Sequence, residues 1–443
     1  MSPRQPILRF CIVLLLAVAL SSINPPPVFS ADDVDDGVIL VDSFQDIDDD
    51  ISNGICSAGH PTNGPCTLRA AVHEANVDIA NRNIVIKLPA GEYNLTIPPH
   101  IPTSYLSNTH SGDLNIVSFE DGNMNSITIE PLGSGPVVIR SLIEDRILTV
   151  DPKAKVIINN LTMRDGHVFY ETNNYYGGGA IDNRGNLTLN GVSLLANTVN
   201  CVSGTSCAAP GGAIENWGNL SIRDSTLDGN TAIQGGAIYN GSSTSGNLII
   251  TYSTLSNNHN RRSGTITNFT NLTIYNSTFS GNTSVNSLSG IDNKGTLRMQ
   301  STTMVNIGDI SAIFNEAGSS TLTLMDNIFK ADFGYHNCTI EAGSLWIPGG
   351  YNIANDNTCM LWSPTDIYSE DLYLGSLGNW GGPTKTIMLN PGSPAIDHRA
   401  GYCWTLVNFI PDDQRHWPRN DGNCDTGAYE YSPFFLHLPF VTK

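Results

Sequence analysis

Asp182 and Glu215 fill the same place in two successive copies of a short pattern, Ile-x-Asn. The pattern returns at Ile181–Asn183, Ile214–Asn216, Ile238–Asn240, Ile266–Asn268, Ile291–Asn293 and Ile313–Asn315. Two carboxylates held side by side suit two chemistries. They can hold calcium against an acidic sugar, or divide the acid and base roles across a glycosidic bond. A lyase would also need a basic residue on the same face to abstract a proton, and Arg184 and Arg223 are the nearest candidates. Tyr175, Tyr176, Trp217 and Tyr239 supply rings for stacking on sugars. Arg164, Asp165 and His167 make a second polar cluster at a turn. Both sets equally suit solvated faces, and neither has the specificity of a nucleophile elbow or a metal box.

The elements that carry these residues follow from the repeat. After each Ile-x-Asn comes a Leu-x-apolar step: Leu187/Leu189, Leu220/Ile222, Leu248/Ile250, Leu272/Ile274, Leu297/Met299 and Leu322/Leu324. Seven residues beyond each first Leu stands Leu194, Leu227, Leu255, Phe279, Met304 or Phe329. Apolar and polar residues alternate over short stretches, which is strand periodicity, and Gly and Asn punctuate the turns. Three short strands per copy describe one coil of a parallel solenoid. In such a coil the Ile, Leu and Phe columns fill the interior. Asn183, Asn216, Asn240, Asn268, Asn293 and Asn315 form an amide ladder. The middle residues Asp182, Glu215, Tyr239, Thr267, Asp292 and Phe314 point outward. The expected fold is all-β: a single-stranded right-handed parallel β-helix.

The 443-residue chain carries a formal charge of −19, which disfavours nucleic acid and anionic lipid as partners. Residues 1–30 hold Arg4 and Arg9, an apolar run from Phe10 to Leu20 and a Pro-rich end, the organisation of a signal peptide cleaved before Ala31. No transmembrane helix is expected after that cleavage. Eight cysteines follow the leader, and their local pairs are Cys56–Cys66, Cys201–Cys207, Cys338–Cys359 and Cys403–Cys424. None has zinc spacing, so disulfides in an oxidising compartment are expected.

Residues 31–83 read as an acidic, loosely attached lead-in followed by a helix that caps the solenoid. Asp46-x-Asp48-x-Asp50 resembles the opening of a calcium loop, but Ile51 stands where such a loop needs Gly. Leu68, Val72, Ala75 and Ile79 line one helix face, with His73 and Glu74 on the polar side. The string Cys66-Thr-Leu-Arg-Ala-Ala-Val-His-Glu-Ala-Asn76 resembles the CSLREA motif at the start of secreted bacterial β-helix proteins. As in that family, it is followed by Ile86-Lys-Leu88-Pro89-Ala-Gly91-Glu-Tyr93-Asn-Leu95. The family's Glu is Ala70 here, so a full capping box from Thr67 cannot form.

Residues 84–372 are expected to form the β-helix, beginning with less regular coils around the long loop 98–112. The Gly-Gly-Ala-Ile and Phe/Leu-x-x-Asn elements also resemble the repeat of polymorphic outer membrane proteins. Residues 373–432 contain Gly381-Gly-Pro-Thr384, Gly392-Ser-Pro-Ala-Ile-Asp397, Asp413-Gln-Arg415, Arg419 and Cys424-Asp-Thr-Gly-Ala-Tyr-Glu430. In that order they resemble the choice-of-anchor Q region of bacterial surface proteins. The expectation is that this module seals the second end of the solenoid, with Asp413, Arg415, Arg419 and Asp425 in one ion-pair network. Residues 433–443 form a short apolar tail.

These resemblances imply a pectin-lyase-like fold on a secreted or cell-surface protein. The function expected is non-catalytic: adhesion, surface structure or contact with an extracellular polysaccharide or cell-surface glycan. The alternative is an extracellular polysaccharide lyase or glycoside hydrolase acting on acidic polysaccharide. It would use Asp182 and Glu215, with calcium as a possible ligand of the same two carboxylates.

Overall fold

Alternating side chains give each Leu-x-Ile step one apolar face, and a strand can bury that face only against like strands above and below it. The computed structural model realises this arrangement. It describes residues 37–49, 55–59, 64–77, 83–99, 110–117, 126–170, 177–201, 208–241, 246–285, 290–307, 311–332, 334–401, 403 and 411–432. The leader, the tail and Cys207 lie outside the described residues.

The chain winds as a right-handed parallel β-helix. A first sheet of nine strands, from Leu114–Ile116 to His336–Ile340, carries the Ile-x-Asn steps. A second sheet of eleven runs from Val38–Leu40 to Leu345–Gly350 and carries the Leu-x-apolar steps. The third, also of eleven, runs from Gly91–Leu95 to Ile367–Tyr368. Register is residue on residue, with Ile181 beside Ile214 and Leu187 beside Leu220. The early strands expected around 84–88, 127–129, 137–139, 147–150, 156–158 and 161–163 are present within a residue or two.

Three strands per coil was one too few for the central coils. A fourth sheet of five strands, from His167–Tyr170 to Thr283–Ser284, follows the third. Its origin is the Asn that ends each third-sheet step. Asn197, Asn230, Asn258 and Asn282 turn inward and form a second buried ladder, at 2.9–3.0 Å per rung. The turn before each uses a left-handed residue, Ala196, Gly229, Asn257 or Gly281, and the chain leaves in a new direction.

The first ladder joins all six expected members, from Asn183 Nδ2 donating to Asn216 Oδ1 at 2.6 Å to Asn293 Nδ2 donating to Asn315 Oδ1 at 2.6 Å. Around it, one apolar core runs from Ile39 to Leu361. The Gly-Gly pairs have a steric cause: Gly211 sits at φ 70°, and a Cβ on Gly212 would lie 2.0 Å from the Gly236 carbonyl oxygen.

At the first end, the helix Leu68–Val77 covers the core as expected. Thr67 still caps it, accepting from the Ala70 amide at 3.1 Å, so half of the capping box survives without the Glu. The described part of the acidic lead-in is not loose. Val38–Leu40 pairs with Val85–Lys87. Asp46 binds Arg69 at 2.7 Å and also accepts the Thr96 and Ile97 amides, which removes it from any calcium loop. Consequently His73 and Glu74, expected on a polar face, are buried.

Among the described residues, those of 373–432 do not join the core at the second end. The loop after Ala354 covers it, placing Cys359 and Leu361 in the main core, with Cys359 bonded to Cys338. The C-terminal segment instead lies as a strap along the outside of the third sheet. Gln414 is fully buried there, accepting from Thr278 Oγ1 at 2.6 Å and donating to Thr254 Oγ1 at 3.0 Å. The strap also engages the left-handed residues that turn each coil from the second sheet to the third. His416 meets Asp224 at 2.7 Å, Tyr252 donates to Asp412 at 2.9 Å, Asn276 donates to the Asp412 carbonyl, and Arg399 meets Asp326 at 2.6 Å. The ion-pair network differs from the expected one in one partner. Arg415 pairs with Asp413, whereas Arg419 pairs with Glu430 at 2.8 Å and takes only the carbonyl of Asp425. Cys56–Cys66 and Cys403–Cys424 are bonded as expected, and Cys201 is disulfide-bonded.

Candidate functional site

On the first sheet, Ile and Asn turn inward, so the residue between them must point out of the coil. Stacking aligns these residues as Asn115, Thr149, Asp182, Glu215, Tyr239, Thr267, Asp292, Phe314 and Thr339. Asp182 and Glu215 therefore stand on adjacent coils as expected, but they are not open to solvent. Each is only 1% exposed, because neighbouring groups close over them.

Two guanidinium groups converge on Asp182: Arg146 Nη1 at 3.1 Å and Arg184 Nη2 at 3.0 Å, both on Oδ2. Glu215 Oε2 accepts from the Gly177 amide at 2.6 Å, and its carboxylate also takes a hydrogen bond from the Trp217 side chain. Asp182 Oδ1 and Glu215 Oε1 have no hydrogen-bond partner among the described residues. Burial, reinforced by Asp182, pushes the Glu215 carboxyl up to about 7. Two coils before Asp182, toward the first end, burial and then Asp145 raise Asp113 likewise to about 7. Arg146 lies 3.9 Å from both Asp113 and Asp145. Asp113, Asp145, Arg146, Asp182, Arg184 and Glu215 thus form one polar seam across successive coils, buried except at Asp145 and the exposed Arg184.

This seam fits an ion-pair lock better than a calcium site. Calcium needs six to eight oxygens, and two cationic side chains already occupy Asp182. Of the two candidate bases, Arg184 is in the seam. Arg223 is not: it lies beside Asp224 at 3.2 Å, over the Tyr252 ring and next to the strap. In the second polar cluster, Asp165 collects Arg140 and Arg164 at 2.7 and 3.0 Å, while His167 packs on Phe169. Tyr175 and Tyr176 lie outside the described residues.

The aromatic candidates do line up. Trp217 and Tyr239 have ring centroids 6.0 Å apart, and Phe269 follows at 5.5 Å. All three rings are half-buried, and Lys294 reaches over the last at 5.7 Å. Gly241 permits this arrangement, since a Cβ there would lie 2.8 Å from the Trp217 indole. Phe269 shares the register that points to Trp217, since it follows Asn268 just as Trp217 follows Asn216. Arg146 and Asp113 carried no comparable signal, because they belong to irregular early coils. No family model matches the chain, and neither a curated protein nor a solved structure matches it.

Proposed function

We propose that this is a non-catalytic β-helix protein of the cell exterior that contacts glycans along the first sheet. The observation that carries this reading is the strip Trp217–Tyr239–Phe269. Three half-buried rings are spaced near the coil repeat, with Lys294 and the exposed-side carboxylate of Glu316 at the far end. Rigid aromatic faces offer apolar contact at low entropic cost and suit the C–H faces of consecutive sugar rings. Lys294 would suit an acidic sugar. The disulfides support an oxidising compartment. Among the described residues no helix is long and apolar enough to cross a membrane. The CSLREA-like and choice-of-anchor Q-like stretches support a secreted or surface-attached bacterial protein.

Burial of Asp182 and Glu215 supports a structural role for the pair. A hydrolase or lyase remains the second reading, because a carboxyl raised to about 7 beside another carboxylate is a fit general acid. One experiment separates the two. The purified chain is offered a panel of acidic and neutral polysaccharides while binding, unsaturated products and reducing ends are followed together. The glycan-contact reading expects binding without product, lost in a Trp217→Ala/Tyr239→Ala double variant. Product release that disappears in Asp182→Asn/Glu215→Gln would establish the enzyme instead.

A further inference from the structure

Three segments far apart in sequence meet at the first end of the solenoid. Asp48 comes from the lead-in, His73 from the capping helix, and His110 from the return of the 98–112 loop. One donor atom from each lies within 4.8 Å of the other two. Asp48 Oδ1 is 3.9 Å from His73 Nδ1, while Asp48 Oδ2 contacts His110 Nδ1. The two imidazole rings are 4.9 Å apart, tilted by 50°.

The supports are rigid. His73 is buried on the helix. The Asp48 carbonyl accepts the Gly59 amide at 3.1 Å, and the Ile47 carbonyl accepts the Thr67 hydroxyl. Asp48 Oδ1 is buried and takes no hydrogen bond among the described residues. An oxygen left so is costly unless something charged completes it. His110, by contrast, has a half-exposed side chain, so the cluster opens to solvent on one side.

The geometry points to a divalent transition-metal site formed by Asp48, His73 and His110, with Zn²⁺ the cation that suits it best. Two imidazole nitrogens and one carboxylate oxygen are a zinc donor set, whereas calcium requires an oxygen cage. Bonds of roughly 2.0–2.2 Å in a tetrahedral shell put donors about 3.3 Å apart. Asp48 and His73 therefore need only a small approach from 3.9 Å, and the half-exposed His110 can readjust beside them. Water fills the fourth position on the open side. The bound ion would fasten lead-in, helix and loop to one another at the end where Cys56–Cys66 staples the same region. Asp46, already paired with Arg69, takes no part. This site is independent of the glycan reading.

The test is calorimetric titration of the chelator-stripped full chain with zinc chloride and, separately, calcium chloride, with melting curves alongside. One zinc per chain is expected, with a melting temperature several degrees higher and no response to calcium. His110→Ala, at the exposed ligand, and Asp48→Asn should each weaken zinc binding by more than about tenfold while the metal-free chain still folds. No zinc uptake, or uptake unchanged by His110→Ala, would overturn the assignment.

Discussion

Glu215 shows how one buried carboxyl makes the pH response of this protein predictable. Its folded-state value is raised to about 7 from an ordinary 4.5, so folding favours the protonated form. The sign follows from linkage. The stabilisation is fully present below about 4.5 and is lost as pH rises toward and through 7. Glu215→Gln keeps an acceptor for the Gly177 amide and removes the charge. The melting temperature of this variant should rise at pH 8, by an amount equivalent to on the order of 1–2 kcal/mol, and barely move at pH 5. A fall at pH 8 would mean that the charge itself is used. The pairing of Asp182 with Glu215 was legible because the repeat fixes their register. Their burial was not, because Arg146 and Gly177 cover them from outside the counted pattern.

At the scale of the element, the amide ladder and the strap make different predictions. Asn240 takes a rung from Asn216 and gives one to Asn268, whereas Asn315 only receives. Asn240→Ala should cost roughly 2–4 kcal/mol, through a lost pair of buried bonds and a small void. Asn315→Ala should cost about half of that, and denaturant midpoints of the two variants compare them directly. In the strap, Arg415 forms a buried fork with Asp413 and lies 3.5 Å over the Tyr429 ring. Arg415→Ala leaves the Asp413 charge buried and should cost about 3–5 kcal/mol. Proteolysis should then begin at the strap, exposing Thr254 and Thr278, while the coils resist. The six ladder positions were readable from spacing alone. The strap's location was not: its partners Asp224, Tyr252, Asn276 and Asp326 are turn residues, and turn residues advertise a backbone conformation rather than a docking surface.

For the whole molecule, stability is built from coil on coil, so the ends decide where opening begins. Replacing Cys338 and Cys359 with Ser should raise hydrogen exchange in the last coils and in the loop after Ala354, leaving the strands around Ile84–Leu88 protected. Protection lost equally at both ends would mean that the solenoid opens as one unit. The first ladder stops for a simple reason: the next coil places Ile340 beside Asn315, and Asn315 Nδ2 finds no acceptor among the described residues. A column of identical amides is indifferent to whether its next rung belongs to the same chain. By ending the column on a branched hydrocarbon and folding a loop over it, the sequence denies a second molecule the template for head-to-tail fibre growth.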